Sequence, residues 1–178
     1  YRRDGYVREM RDPPAIWEEG ESRVLDYGGD GTKVLFVPSL INRAYILDLM
    51  ESASMLRWLS GQRLHPYLLD WGWPGEVERR FSLTDYIAGR LERALAALEG
   101  PVVLAGYCMG GLLALAAALR APARVKALAL LATPWDFHAE DADTARRVAE
   151  MVPFMEATMQ FSGTLPIDAL NTMFASLP

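Results

Sequence analysis

The sequence predicts an α/β fold in which helices cover both faces of a mostly parallel sheet. Short apolar runs alternate along the chain with longer segments whose apolar residues have helical spacing. The short runs are continuously apolar rather than alternating with polar residues, which is typical of strands buried on both faces. Such strands need helices on each side of the sheet. Ligands in open sheets of this class bind beyond the carboxyl ends of the strands, so functional residues are expected at that edge.

Turn-forming residues separate the predicted elements. The first 33 residues are rich in Gly, Pro and charge, and we interpret residues 1–33 as an N-terminal extension with a first strand at 23–27. Residues 34–136 form the predicted core. Its elements are a strand at 34–37, a helix at 45–62, a strand at 66–71, a helix at 84–99, a strand at 102–105, a helix at 112–121 and a strand at 125–132.

Residues 137–178 differ from this core, because they contain no Trp and no predicted strand. Met151, Met155 and Met159 recur every four residues, which places them on one face of a helix. One interpretation is a stripe of core side chains. The other is an adaptable apolar lid over a substrate channel, because methionine suits pliable binding surfaces.

The composition excludes several classes of protein. The chain has 18 Lys and Arg against 23 Asp and Glu, a net charge of −5, which is not the basic footprint of a nucleic-acid binder. One Cys cannot form an internal disulfide, and one Cys with two His speaks against a metal site. The longest apolar run, residues 112–119, is far shorter than a membrane span.

One motif carries chemistry. The third core strand runs into residues 106–111, Gly-Tyr-Cys-Met-Gly-Gly, and then into a helix. This pattern is typical of the nucleophile elbow of α/β hydrolases, with Cys108 in the place of serine. The nucleophile sits on a strained turn, so Gly106 and Gly110 are needed where a Cβ would clash, and Gly111 lets the helix approach the strand. The alternative is a small structural cysteine at a crowded turn.

The elbow also predicts an oxyanion hole. The backbone N–H of Met109 is expected to face the developing oxyanion, and the helix N-terminus favours the thiolate form of Cys108. The second donor in this fold comes from the loop after an earlier strand. That loop is residues 38–43, in which a backbone N–H near Leu40 or Ile41 is the candidate.

No histidine is well placed to act as the base. His65 precedes a strand and therefore lies at the amino edge of the sheet, away from Cys108. His138 follows the last predicted strand, but it comes early for this fold and only two residues after Asp136. The usual base is therefore missing, and we interpret the chain as incomplete on its C-terminal side.

Several segments resemble the polyhydroxyalkanoate synthase family. Residues 38–49 (PSLINRAYILDL) look like its P-x-x-I-N-[KR]-x-Y-[IV]-L-D-L segment, and residues 106–111 are similar to its lipase-like box, in which Cys replaces Ser. Residues 85–87 and 133–137 resemble its D-Y-[IV] and T-x-L-D-F segments, the second with Pro-Trp in its middle. Residues 70–74 keep only the Trp and Pro of its S-W-R-N-P segment, which suggests a divergent subgroup.

The resemblance implies a cytoplasmic acyltransferase. Cys108 would attack the thioester of a 3-hydroxyacyl-CoA and hold the growing polyester covalently, with the CoA thioester as substrate and no cofactor. The activating His and Asp are expected beyond Pro178. Residues 137–178 would begin a cap that keeps water from the acyl-enzyme. The resemblance further implies a homodimer or a partner synthase subunit, at the surface of polymer granules rather than in a bilayer.

Two other hypotheses stay open. One is a Cys-dependent hydrolase of the same fold, such as a depolymerase, a thioesterase or a dienelactone hydrolase, whose G-Y-C-x-G-G elbow is very similar. The other is a non-catalytic, truncated paralogue that pairs with an active subunit. The product formed from hydroxyacyl-CoA, polymer or free acid, separates the synthase from the hydrolase.

Overall fold

The computed structural model describes residues 8–136, 142–163 and 165–175. The chain divides into two compact units, Tyr1–Pro134 and Trp135–Pro178. The strands and α-helices of the first unit are, in chain order, β1 (Ala15–Glu19), β2 (Ser22–Asp26), β3 (Thr32–Val37), β4 (Asp48–Met50), β5 (Ala53–Ser54), α1 (Met55–Ser60), β6 (Leu64–Asp70), α2 (Glu92–Ala96), β7 (Val102–Tyr107), α3 (Met109–Arg120) and β8 (Val125–Leu131).

The main sheet has the strand order β1-β2-β6-β3-β7-β8. Strands β6, β3, β7 and β8 run parallel, whereas β2 is antiparallel to β6 and β1 is antiparallel to β2. Leu35 of β3 lies opposite Tyr67 on one side and Leu104 on the other. The mostly parallel sheet predicted from the continuous apolar runs is therefore confirmed.

Apolar side chains are buried on both faces of this sheet. On β3, Leu35 packs in a cluster with Leu95 of α2 and Leu113 of α3. Its neighbour Phe36 points to the other face and packs with Leu56 of α1. Successive strand residues thus serve opposite faces, which is why the strands lack alternating polar positions.

The helix predicted over residues 45–62 is wrong in its first half. Residues Ala44–Leu47 form a single 3₁₀ turn, β4 and β5 form a small antiparallel hairpin, and only Met55–Ser60 is α-helical. Asp48 is fully buried at the start of β4 and accepts hydrogen bonds from Arg8 and Arg57. These contacts reach across the fold and override the local helical spacing.

Two further elements differ from the predictions. Strand β1 is not among the predicted elements, and it pairs with β2 through the turn at Gly20, which has a φ of +56°. The helix predicted over 84–99 begins as a π-helical segment, Asp85–Leu91, and continues as α2.

The second unit is helical in its described residues. Its elements are α4 (Ala142–Glu150), α5 (Val152–Ser162) and α6 (Ile167–Ala175). Helix α5 ends at Gly163 in the left-handed conformation that commonly closes helices. Met155 is half-buried, whereas Met151 and Met159 are exposed. In neither unit does a helix of the described ranges combine the length and the apolarity that crossing a membrane requires.

Candidate active site

Cys108 lies at the junction of β7 and α3, where the carboxyl end of a central strand meets the N-terminus of a helix. Its backbone has φ 53° and ψ −132°, a conformation that is strained for a residue other than glycine. Its N–H donates to the Leu131 carbonyl at 2.8 Å, and its own carbonyl accepts from Gly111 N at 2.9 Å. Neighbouring backbone therefore fixes the turn, and the side chain is half-buried.

Three glycines surround this turn at close approaches of the backbone. A Cβ on Gly106 would overlap the Cα of Gly111, and one on Gly110 would overlap the Val37 carbonyl oxygen. A Cβ on Gly111 would overlap the hydroxyl of Thr133. Any side chain at these positions would push α3 away from the sheet, and Cys108 would move with it.

Gly110→Ala is expected to lower the free energy of unfolding by about 1–3 kcal/mol, because the new Cβ meets the rigid carbonyls of Val37 and Pro38. In an unobstructed helix the same change would stabilise the protein. Gly61→Ala is the matched control, since its Cβ would meet only the Trp58 carbonyl at an ordinary 3.5 Å. Urea unfolding of both variants measures the difference, and equal effects would contradict the steric explanation.

The loop after β3 lies against this junction, because Gly110 approaches both the Val37 and the Pro38 carbonyls. Trp71 Nε1 donates to the Pro38 carbonyl oxygen at 3.0 Å and fixes the start of the loop. Inside the loop, Ser39 Oγ accepts from Ile41 N at 3.0 Å. The Ile41 N–H is thereby occupied, so Leu40 is the better placed of the two candidate donors. Sequence patterns do not indicate the Trp71 contact.

Arg43 holds the other end of this loop. Its Nη1 donates to the Gly72 carbonyl at 2.6 Å, its Nη2 lies 3.7 Å from Asp70 Oδ1, and its guanidinium stacks 4.8 Å from the centre of the exposed Trp73 ring. Residues just after β6 therefore hold both ends of the loop. The sequence pattern places Arg43 only in the segment that resembles the family and does not predict these contacts.

The histidines do not join Cys108 in the described residues. His65 is the second residue of β6, at the amino edge of the sheet, and pairs in register with Lys33. Its Nε2 lies 2.6 Å from Asp26 Oδ1, and its ring stacks on Tyr67 with 4.4 Å between the ring centres. The predicted position of His65 at the far edge is confirmed. His138 lies outside the described residues.

No group of three or more His, Cys, Asp or Glu side chains is arranged to hold a metal ion in the ranges that the structure describes. The arrangement at Cys108 can supply a thiol on a strained turn, the first N–H group of a helix and the backbone of the neighbouring loop. A nucleophile and backbone donors are two of the parts that acyl transfer through a covalent intermediate requires.

A comparison with known families agrees with this geometry. The sequence model of the family described as the alpha/beta hydrolase fold matches residues 53–162, more than half of the chain. The chain belongs to the α/β-hydrolase family. Among solved structures, this α/β hydrolase is similar to the thioesterase domain from the curacin biosynthetic pathway, with a TM-score of 0.55, 22% identity and coverage of 75% of this chain and 49% of that one.

Curated relatives narrow the placement within the α/β hydrolases. Poly(3-hydroxyalkanoate) polymerase subunit PhaC of Allochromatium vinosum is 32% identical over 149 residues, which cover 81% of this chain and 41% of that protein. The subunit of the same name from Synechocystis is 33% identical over 156 residues, covering 81% of this chain and 40% of that protein. This α/β hydrolase is therefore polyhydroxyalkanoate synthase-like. It spans about two fifths of the length of these relatives.

Proposed function

We propose that this α/β hydrolase is a cysteine acyltransferase that polymerises (R)-3-hydroxyacyl-CoA thioesters through an acyl-Cys108 intermediate. The observation that carries the proposal is the strained backbone of Cys108 at the tip of β7, directly before the N-terminus of α3. The polymerase subunits among the relatives support the substrate class. As the resemblance to polyhydroxyalkanoate synthases implies, the CoA thioester is a substrate and the reaction uses no cofactor.

The first proposed step is attack of the Cys108 thiolate on the thioester carbonyl. The C–S bond to Cys108 forms, the carbonyl electrons move onto oxygen, and their return breaks the bond to CoA, which leaves as a thiolate and takes up a proton. In the second step the hydroxyl of another hydroxyacyl unit attacks the acyl-Cys108 carbonyl. It loses its proton, and the thiolate is released as the new ester forms.

Backbone donors stabilise the oxyanion of both steps in this proposal. Met109 is the first residue of α3, so its N–H has no partner within the helix and stays available. Leu40 supplies the second donor from the loop that Trp71 and Arg43 hold in place. Donors held in advance need no reorganisation when the charge develops, which is why such sites accelerate acyl transfer.

The chain supplies the nucleophile, while the resemblance assigns proton transfer to a His and an Asp. His65 does not act as the base for Cys108, because it lies at the opposite edge of the sheet. We further propose that residues 137–178 begin a cap, that residues 34–136 form the catalytic core and that residues 1–33 are an N-terminal extension. Such a cap would exclude water, so that a hydroxyacyl group rather than water accepts the acyl chain.

The proposed setting follows from the polyester product. The growing chain is insoluble, so the enzyme would act at the surface of polymer granules in the cytoplasm. The relatives are named as polymerase subunits, which supports a partner synthase subunit or a homodimer.

Trapping of the acyl-enzyme tests the proposal. The full-length protein would be mixed with (R)-3-hydroxybutyryl-CoA, quenched in acid and digested. The mass of the peptide that carries Cys108 would then be measured by mass spectrometry. We expect that peptide to gain the mass of a hydroxyacyl group, while CoA appears together with polymer. Free acid in place of polymer would indicate a hydrolase, and release of CoA without acylation of Cys108 would overturn the mechanism. Absence of turnover, both for the protein alone and after a partner synthase subunit is added, would favour a non-catalytic paralogue.

A further inference from the structure

A second residue with a positive φ lies near Cys108, at the end of the neighbouring strand. Ala132 directly follows β8 and has a φ of +49°, in the left-handed region that residues other than glycine rarely adopt. The residue before it, Leu131, supplies the carbonyl that accepts from Cys108 N at 2.8 Å. The residue before Ala132 is thus hydrogen-bonded to Cys108.

The residue after Ala132 contacts the same elbow at a second point. Thr133 packs against Gly111, so closely that a Cβ on this glycine would overlap the threonine hydroxyl and lie 2.6 Å from its Cγ2. The Thr133 hydroxyl is buried without a hydrogen-bond partner among the described residues. Packing, rather than a hydrogen bond, therefore accounts for its position.

We propose that Leu131, Ala132 and Thr133 form a hook at the end of β8 that positions Cys108. The parallel pairing of β7 and β8, in which Leu131 lies opposite Tyr107, brings the Leu131 carbonyl to the N–H of Cys108. The left-handed turn at Ala132 then seats Thr133 on Gly111. Gly111 N in turn donates to the Cys108 carbonyl at 2.9 Å. The hook therefore contacts the turn on its strand side, through Leu131, and on its helix side, through Thr133 and Gly111. The inference rests on the proposed role of Cys108 as the nucleophile.

The hook has a physical purpose. A residue at φ 53° returns to a relaxed conformation unless its surroundings hold it there. Holding it keeps the thiol at the N-terminus of α3, beside the backbone N–H groups proposed to bind the oxyanion. Residues 131–133 are positioning residues in this sense and do not touch the reacting atoms.

Two substitutions at Ala132 test whether its backbone conformation positions Cys108. Ala132 is exposed, so a larger side chain has room, but a β-branched residue tolerates a positive φ poorly whereas glycine adopts it freely. In the full-length protein, we expect Ala132→Val to slow alkylation of Cys108 by iodoacetamide about fivefold, the factor that corresponds to the lower end of the cost of such strain. Ala132→Gly is expected to keep the wild-type rate.

Ala129→Val is the matched control, because Ala129 is also exposed on β8 but lies in ordinary strand conformation. Mass spectrometry of the Cys108 peptide gives the alkylation rate. A substitution that only destabilised the fold would expose the thiol and would not slow its alkylation. Equal rates for Ala132→Val and Ala132→Gly would overturn the hook, as would an equal loss in Ala129→Val.

Thr133 provides a second test. Thr133→Val keeps the shape of the side chain and removes the unpartnered hydroxyl, so alkylation should be unchanged. Thr133→Leu extends the side chain into the contact with Gly111 and should slow alkylation and lower kcat for hydroxyacyl-CoA while KM stays constant. An equal loss in both variants would overturn the packing role. Alkylation needs no substrate, so its outcome is independent of whether the protein makes polymer.

Discussion

Cys108→Ala is expected to lower the turnover of hydroxyacyl-CoA by at least about a thousandfold, the scale of loss seen when an enzyme is deprived of its nucleophile. The substitution removes one sulfur atom at the turn between β7 and α3, and the backbone hydrogen bonds to Leu131 and from Gly111 do not involve the side chain. The fold should therefore survive, with a thermal unfolding midpoint close to that of the wild type. CoA release with the full-length protein measures the loss.

Arg63→Ala is a suitable control for this variant. Arg63 is also a non-glycine residue at positive φ, 58°, but it immediately precedes β6 at the amino edge of the sheet. Alanine at this position faces the same backbone strain without touching the candidate site, and turnover should be unchanged. Cys108→Ser should fall between wild type and Cys108→Ala, because an alcohol is a weaker nucleophile than a thiol. Turnover that persisted in Cys108→Ala near the wild-type rate would exclude the acyl-Cys mechanism.

The strand, turn and helix around Cys108 could be predicted because their signals are local. An apolar run, glycines on both sides of one cysteine and a following apolar segment all fall within residues 102–121, and β7 and α3 lie there. The parallel sheet could be predicted for the same reason, since each buried strand is continuously apolar. His65 could be placed at the amino edge from its position before a strand alone.

The parts that could not be predicted depend on contacts between distant segments. Residues 45–54 have helical spacing, but Asp48 binds Arg8, forty positions away, and the segment folds into a turn and a hairpin instead. The left-handed backbone of Ala132 has no sequence signal, because alanine is not a residue that this conformation favours. In our proposal, this conformation seats Thr133 on Gly111.

The family-like segment, residues 38–49, has a local sequence signal and also makes contacts to distant segments. Its first half contains Leu40, the proposed oxyanion donor, and Arg43, which donates a hydrogen bond to the Gly72 carbonyl just after β6. Its second half buries Ala44, Leu47 and Asp48. The segment therefore joins a loop of the candidate site to a charged anchor inside the first unit, and the strength of that anchor can be measured.

Asp48→Ala is expected to lower the free energy of unfolding by about 3–5 kcal/mol, because it removes one partner from a buried ion cluster. The carboxylate of Asp48 is fully buried and accepts from Arg57 Nε at 2.8 Å, from Arg8 Nη2 at 2.5 Å and from the Tyr27 hydroxyl at 3.0 Å. Alanine leaves two guanidinium groups and a phenol without their shared acceptor. Urea unfolding at neutral pH measures the loss.

Asp12→Ala gives the matched control. Asp12 also pairs with Arg8, at 2.5 Å, but a third of its side chain is exposed, and pairs of this kind contribute about 0–1 kcal/mol. The same substitution beside the same arginine should therefore cost far less. Similar losses for the two variants would show that burial of the carboxylate does not determine the strength of the anchor.

The anchor should also make stability depend on pH in one direction. Burial alone would raise the pKa of Asp48, but hydrogen bonds from Arg57, Ser54 and Tyr27 hold it below its ordinary value. A carboxylate whose pKa is lower in the folded state stabilises the fold fully above its unfolded pKa, about 3.9, and loses that contribution as the pH falls toward the folded pKa. Wild type should therefore lose stability below about pH 5, and more steeply than Asp48→Ala. Parallel curves for the two proteins in urea unfolding between neutral and acidic pH would show that Asp48 does not carry the acid sensitivity.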